Sequence, residues 1–252
     1  MIELKTPEEL ELMRRAGRTV AGLLNHLVSL IRPGIRTKEL DHASGEYLRR
    51  SGAAPAFLNY RGFPATICVS VNEEVVHGIP GERKLREGDL VSLDAGAIVS
   101  GLFADAAVTV PVGAVSPQAR RLSETTRQAL EQGIAAASAG RRLSDISHAV
   151  QRVAESAGFG VVRDFVGHGI GRALHEEPPV PNFGSPNTGP RLRPGMVLAI
   201  EPMVTMGGYD VQILSDGWTV VTKDRSLAAH FEHTVAITEH GPEILTTTNG
   251  EP

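Results

Sequence analysis

The sequence predicts an α+β fold on a largely antiparallel sheet, and three observations predict it. A long segment near its start carries apolar residues at helical spacing between clear start and stop signals. Further on, two apolar runs are joined by a tight turn, as in a hairpin. No linker or shift of composition divides the 252 residues, so residues 1–252 are read as a single domain.

The first element is a long helix. Thr6-Pro7-Glu8-Glu9 offers a capping hydroxyl, proline at the first helical position and a glutamate at the third. Leu10, Met13, Val20, Leu23, Leu24, Leu27 and Leu30 supply its apolar positions until Pro33-Gly34 ends the run. Thr37 starts a second helix, which Gly52 closes, and strands are expected over Thr66–Val71, Leu90–Ile98 and Leu102–Val112. Ser116-Pro117 then opens another long helix that Gly140 interrupts; Ser144 is expected to cap a fourth, which Gly158 closes. Strands follow over Val161–Val166, Met196–Met203, Trp218–Thr222 and Ala229–Thr238, with Glu177–Arg193, rich in Pro, Gly and Asn, read as a loop. Gly34 to Gly52 and Gly140 to Gly158 are both 18 residues apart, and Leu40 maps onto Ile146 at the same offset of 106. Either glycine simply ends helices wherever it occurs, or the chain is an internal duplication of helix-helix-strand halves.

Bulk properties narrow the function classes. A net charge of -4 argues against a dedicated nucleic-acid binder. One cysteine, Cys68, excludes an internal disulfide and suits a reducing compartment. The charged start, Met1-Ile2-Glu3-Leu4-Lys5, lacks the apolar stretch of a secretory signal, and no apolar run approaches the ~20 residues of a membrane helix. A cytoplasmic protein with no membrane contact is expected.

The acids in apolar runs carry the chemical signal. Asp94, in Leu90-Val91-Ser92-Leu93-Asp94, is costly in a strand unless it is paired or bound to a cation. Asp105 lies beyond the Ser100-Gly101 turn. A two-residue loop there sets the two aspartates diagonally, and a loop one residue earlier sets them directly opposite. In either register they share a face within roughly 5–8 Å. Such a pair repels in a core and is stabilised by a shared divalent cation. His168 and His175 occupy a glycine-rich segment, Val166-Gly167-His168-Gly169-Ile170-Gly171, where the glycines would let a ligand approach the ring of His168. It is no dinucleotide fingerprint, because prolines and no helix follow. Pro178 and Pro179 likewise deny His175-Glu176 a zinc-binding helix. Glu201 and Glu232 complete the set, each in an apolar strand-like run. Four carboxylates with one imidazole suit Mn, Fe or Co better than a thiolate-type zinc site, and suit two metals about 3.5–4 Å apart.

With these residues in place, the chain resembles the type I methionine aminopeptidases, which share the pita-bread fold. The matching stretches run in order: Val71-Asn72-Glu73-Glu74-Val75-Val76-His77-Gly78-Ile79-Pro80, Asp94-Ala95-Gly96, Asp105, Gly167-His168-Gly169-Ile170-Gly171-Arg172, His175-Glu176-Glu177-Pro178, Ile200-Glu201-Pro202-Met203 and Glu232-His233-Thr234. The resemblance implies two duplicated halves around a curved, mainly antiparallel sheet. It further implies two divalent ions (Co, Mn, Fe or Zn), one chelated by Asp94, the other held by His168 and Glu201, with Asp105 and Glu232 bridging. His175 would contact the scissile peptide, His77 the peptide beyond the methionine, and Glu201 would shuttle the proton. Phe57, Tyr60, Phe63, Cys68, Leu174 and Trp218 would line the methionine pocket. The implied substrate is the N-terminus of a nascent polypeptide, acted on by a monomer, with ribosome association left to the catalytic domain's own surface. Three departures stand out. Leu174 replaces a frequent aromatic residue, Ala106 and Ala107 replace a common small hydroxyl residue after Asp105, and His230 precedes Glu232 by two on the same strand face, read as a satisfied or exposed histidine ahead of the alternative of a partner to the ligands. The competing readings are an Xaa-Pro peptidase, for whose large N-terminal domain Asp94 leaves no room, and a non-catalytic peptide- or ribosome-binding protein of the same fold.

Overall fold

The computed structural model describes residues 2–248. Its helices are α1 (Pro7–Leu30), α2 (Thr37–Arg50), α3 (Pro117–Ala136) and α4 (Leu143–Ser156). The strands of the first half are β1 (Ala54–Pro55), β2 (Ile67–Val71), β3 (Glu74–Val76), β4 (Leu90–Val99) and β5 (Leu102–Pro111). Those of the second half are β6 (Gly160–Val161), β7 (Gly167–Gly169), β8 (Glu176–Val180), β9 (Val197–Ile200), β10 (Met203–Thr205), β11 (Val211–Ile213), β12 (Val220–Thr222), β13 (Ala228–His230), β14 (Glu232–Thr238) and β15 (Gly241–Ile244). Nine strands form one sheet whose path runs β1-β4-β5-β14-β9-β7-β8, and every pairing in it is antiparallel. The remaining strands form two three-stranded sheets, β13-β10-β6 and β11-β12-β3.

The helices begin where local chemistry satisfies their free N–H groups. Thr6 Oγ1 accepts the Glu9 N–H at 3.3 Å and the Glu9 carboxylate accepts the Thr6 N–H at 2.9 Å, closing the expected box at the start of α1. Ser116 caps α3 through the Ala119 N–H. Ser144 does not cap α4. The cap position is Arg142, Asp145 accepts its N–H, and the Ser144 hydroxyl donates instead to Thr188 O.

The duplication is visible in the backbone. Helices α2 and α4 start and stop 106 residues apart, as do the ends of α1 and α3. Gly34 N–H donates to Leu85 O and Gly140 N–H to Leu192 O; Leu85 and Leu192 return bonds to Ile35 and Arg141. Gly34 and Gly140 adopt φ of +91° and +86°, a conformation glycine enters without a Cβ penalty. The spacing read from the sequence therefore marks equivalent positions of two halves.

Alternation along the strands decides which face is which. Val91, Leu93, Ala95 and Ala97 of β4 and Ala104 and Ala106 of β5 pack with Val20, Leu23 and Leu27 of α1. In the second half Leu198 and Ile200 of β9 and Val235 and Ile237 of β14 pack with Leu130, Ile134 and Ile146 of α3 and α4. Asp94 and Asp105 sit at the intervening positions and point to the opposite face of the sheet.

Four strand expectations are corrected. Val161–Val166 shortens to Gly160–Val161, because Arg163 turns outward onto the Phe183 and Tyr209 rings at 5.1 and 4.0 Å. Met196–Met203 breaks at Glu201-Pro202, where proline has no N–H to continue the ladder. Ala229–Thr238 breaks at Phe231, because β13 pairs with β10 in a small sheet while β14 crosses into the large one. Trp218–Thr222 begins only at Val220, because the Asp216 carboxylate gathers the Trp218 and Thr219 N–H groups into a turn. The expected loop Glu177–Arg193 also starts as a strand. Strand β8 tolerates Pro178 and Pro179 because it closes one end of the large sheet's path.

Candidate metal centre

The register across the large sheet assembles the acids. The β4–β5 hairpin turns on Ser100-Gly101, so Asp94 faces Ala107 and Asp105 faces Gly96, the diagonal alternative of the two. Cys68 of β2 pairs with Asp94 from the other side, and Glu232 of β14 pairs with Ala107. One rung beyond the last β9–β14 pair, His233 with Ile200, lies Glu201 beside Glu232. Strand β7 brings His168 opposite Ala199, two residues before Glu201 and on the same face. Asp94 and Glu201 are 107 residues apart, the same distance as the starts of β4 and β9, so the two halves contribute an acid from one equivalent position.

Ligand atoms of Asp105, His168 and Glu232 lie within 4.8 Å of one another. His168 Nε2 is 3.6 Å from both Asp105 Oδ2 and Glu201 Oε1. Its Nδ1 lies 2.9 Å from Gly169 O, which can only accept, so Nδ1 donates there and Nε2 faces the acids. The glycines flanking His168 have a different reason from ligand access. A Cβ on Gly167 would lie 2.3 Å from Ala199 O and one on Gly169 2.2 Å from Glu177 O, so they let β7 approach its neighbouring backbones. Thr234 supplies what Ala106 and Ala107 cannot. Its hydroxyl donates to Asp105 O at 2.7 Å, accepts the Asp105 N–H at 3.0 Å and lies 3.2 Å from Asp105 Oδ1.

The electrostatics of the cluster fit a cation. Burial raises the Asp94 carboxyl to about 8, reinforced by repulsion from Asp105 and Glu201 and opposed by nearby His230. Burial likewise raises Asp105, Glu201 and Glu232, with neighbouring acids adding to the rise in the last two. Asp94 Oδ1 is buried without a hydrogen-bond partner among the described residues. An orphaned carboxylate oxygen among like charges and one imidazole is the donor set of a hard-to-borderline divalent metal, whose charge inverts the repulsion.

Around the acids lies a cavity of about 140 Å³, and every site residue nominated from the sequence lines it. Phe57, Phe63, Cys68 and Leu174 are buried in its wall, and Trp218 meets Phe63 edge to face at 5.1 Å. Gly96 leaves room for this wall, since a Cβ there would lie 2.8 Å from Phe57. His175 stands at the exposed mouth, its Nδ1 2.9 Å from the Tyr60 hydroxyl and its ring 4.1 Å from that of His168. The protein packed around it, then His168, Arg61 and His77, hold its imidazole well below the usual value; burial does the same to His77. Burial pushes the Cys68 thiol up, so it is a packing group without thiolate character.

Sequence reasoning missed two neighbours and misranked a third. Arg61, also lining the cavity, lies between the nominated Tyr60 and Phe63 but is an ordinary basic residue of a turn with no signal of its own. Thr234 is found only through the β14–β5 contact. His230, read first as satisfied or exposed and only second as a partner to the ligands, is 1% exposed, has no hydrogen-bond partner for either ring nitrogen among the described residues, and places its Nε2 3.6 Å from Glu201 Oε2, the second of those readings.

A duplicated α+β frame holding a carboxylate-histidine centre at the floor of an apolar-walled cavity defines a metal-dependent hydrolase. The sequence profile of metallopeptidase family M24 matches residues 11–239, and the chain belongs to that family. It is 54% identical to methionine aminopeptidase 1 of Bacillus subtilis, over 98% of this chain and 99% of that one. The crystal structure of methionine aminopeptidase from Thermotoga maritima superposes with a TM-score of 0.97 at 50% identity, covering 98% of this chain and 100% of that one. The prolidase of Pyrococcus furiosus shares the pita-bread fold at a TM-score of 0.80 and 24% identity, over 98% of this chain and 66% of that one. That last likeness is one of fold.

Proposed function

We propose that this chain, as one catalytic domain over residues 1–252, removes the N-terminal methionine from polypeptides by metal-dependent hydrolysis of the first peptide bond. The observation that carries the reading is the meeting of five ligand side chains and an apolar, sulfur-compatible pocket in one cavity. Asp94, Asp105, His168, Glu201 and Glu232 would together hold the two divalent ions, as the resemblance implies. Two such ions supply the Lewis acidity that makes water a nucleophile near neutral pH.

The chain's own residues do the rest. Phe57, Phe63, Leu174 and Trp218 enclose a thioether side chain, with Tyr60 and Cys68 at its edge. Neutral His175, with Nδ1 tied to Tyr60, offers Nε2 toward the scissile carbonyl, where it steadies the oxygen as charge develops. His77, edge to face with Trp218 at 6.2 Å, contacts the peptide following the methionine. Glu201 accepts the proton of the attacking water and passes it to the departing amine as the C–N bond breaks. The substrate's free amine would serve as a further ligand for a metal held there, so only an N-terminus fits, which favours an exopeptidase. Mn, Fe and Co suit this donor set alike, with Zn the fourth candidate.

Nascent polypeptides in the cytoplasm are the proposed substrates, and N-terminal maturation of proteins the proposed role. The buried free thiol of Cys68 suits that reducing compartment. A monomer is the proposed state. The complete ligand set weighs against a non-catalytic binding protein. Methionine release from Met-Ala-Ser by metal-free protein titrated with Mn, Co, Fe and Zn tests the reading. Turnover that needs metal, fails on the N-acetylated peptide and disappears in His175→Ala is expected. No turnover with any metal, in folded protein, overturns it.

A further inference from the structure

The turn that presents Leu174 and His175 to the cavity is closed by one carboxylate. Glu176 Oε1 accepts the N–H groups of Arg172 at 2.6 Å and Ala173 at 3.1 Å, and Gly171 N–H reaches Ala173 O at 3.1 Å. The other carboxylate oxygen, Oε2, takes the ammonium of Lys5 at 2.6 Å. Lys5 is a side chain out of place by ordinary rules: a lysine 1% exposed, paired with an acid 11% exposed. Its Nζ also donates to Glu3 O at 3.3 Å, and its N–H ties the strand-like segment ahead of α1 to Gly195 O at 2.7 Å.

The surrounding structure is shaped for this lysine. A Cβ on Gly171 would lie 1.8 Å from Lys5 Cε, so the absence of a side chain there is what lets the lysine stem pass. On the solvent side Arg172 binds Glu9 at 2.7 Å and also pairs with Glu3, fixing the same turn from without. A buried ion pair adds little to stability, because desolvation offsets most of its attraction. Its effect on geometry is direct, since the carboxylate that meets Lys5 is also the one that folds the turn.

We propose that Lys5 is a positioning residue for the hydrolytic reaction. Through Glu176 it sets His175 over the scissile carbonyl. The proposal rests on the reading of His175 as a substrate-contacting group. Displacement by about 1 Å is enough to cost on the order of 100-fold in rate.

Steady-state release of methionine from Met-Ala-Ser tests it in wild type, Lys5→Met, His175→Ala and the Lys5→Met/His175→Ala double variant, with metal affinity measured by calorimetry. Lys5→Met/Glu176→Gln removes both charges, leaves no lone buried ion and keeps an amide acceptor, so it carries the test if Lys5→Met does not fold. Arg14→Ala, which breaks the Arg14–Glu243 pair at 2.6 Å on another side of α1, controls for lost stability alone. The expected results are a fall in kcat of about 30- to 100-fold in Lys5→Met, and at least about 10-fold in the Lys5/Glu176 variant. KM and metal affinity stay within about threefold, kcat is unchanged in Arg14→Ala, and Lys5→Met adds less than about threefold to His175→Ala. A kcat within about twofold of wild type, a loss that multiplies that of His175→Ala, or a parallel loss of metal affinity overturns the proposal. Wild-type turnover together with its loss in His175→Ala leaves the parent reading standing in each of those cases; an inactive wild type is the separate failure of that reading.

Discussion

Replacing Asp94 by asparagine is expected to stabilise the metal-free protein while removing its activity. The folded-state carboxyl is raised from 3.8 to about 8, chiefly by burial. A raised carboxyl favours the fold in its neutral form. Its stabilising contribution is complete below pH 3.8 and is lost as pH rises toward 8. At about pH 8.5 the ceiling on the cost of holding that charge in the apo site is about 6 kcal/mol, at about 1.36 kcal/mol per tenfold change in proton affinity. The asparagine side chain abolishes that cost but buries an amide whose hydrogen bonds are incomplete, returning about 1–3 kcal/mol. A net gain of roughly 3 kcal/mol at that pH corresponds to about 6–12 °C in melting temperature for a chain of this size. Little gain is expected at about pH 4.5, where the wild-type carboxyl is already neutral. The assay is thermal and urea unfolding of chelator-treated wild type and Asp94→Asn at both pH values, followed by addition of Mn or Co. Added metal should raise the wild-type melting temperature and close the gap. A variant no more stable than wild type at the higher pH, or a difference that does not change with pH, refutes the account of the cluster as repelling acids awaiting a cation.

Metal binding should expel protons, because carboxyls raised by burial and mutual repulsion must ionise to ligate; calorimetry at about pH 6.5 in buffers of differing ionisation enthalpy should report about one or more protons released per protein. Thr234→Val removes the hydroxyl that holds Asp105, and a loss of metal affinity of about 10- to 100-fold is expected at roughly unchanged protein fold; unaltered affinity would show that strand pairing alone places the acid. Cys68 should resist iodoacetamide at about pH 7.5 in the native protein and react fully in urea, since burial holds its thiol in the protonated form; rapid native labelling would contradict its place in the pocket wall.

Much of the fold was legible because it depends on local chemistry. The box at Thr6-Pro7-Glu8-Glu9, the stop at Pro33-Gly34 and the turn at Ser100-Gly101 are each decided by residues in contact along the chain. The repeat was legible for a related reason: Gly34 and Gly140 need the same left-handed backbone, so their spacing records equivalent positions. The acids Asp94, Asp105, Glu201 and Glu232 stood out because an apolar strand has no use for a carboxylate unless something binds it. Ser144 failed as a cap because the competing acceptor, Thr188 O, is 44 residues away.

The sequence by itself therefore determined which residues had to be explained and which segments would be helix or hairpin. Only the tertiary structure decided that the face Asp94 and Asp105 share also meets Glu201, Glu232 and His168, because the site depends on register across β4, β5, β14 and β9. Of those pairings, His233 with Ala106 joins residues 127 positions apart and His233 with Ile200 residues 33 apart. It also decided that Thr234 steadies Asp105 and that His230 is buried beside Glu201. Lys5, in turn, meets Glu176 from 171 positions away. Each of these contacts joins segments whose closeness is a property of the folded sheet, and no pattern along the chain encodes the distance between them.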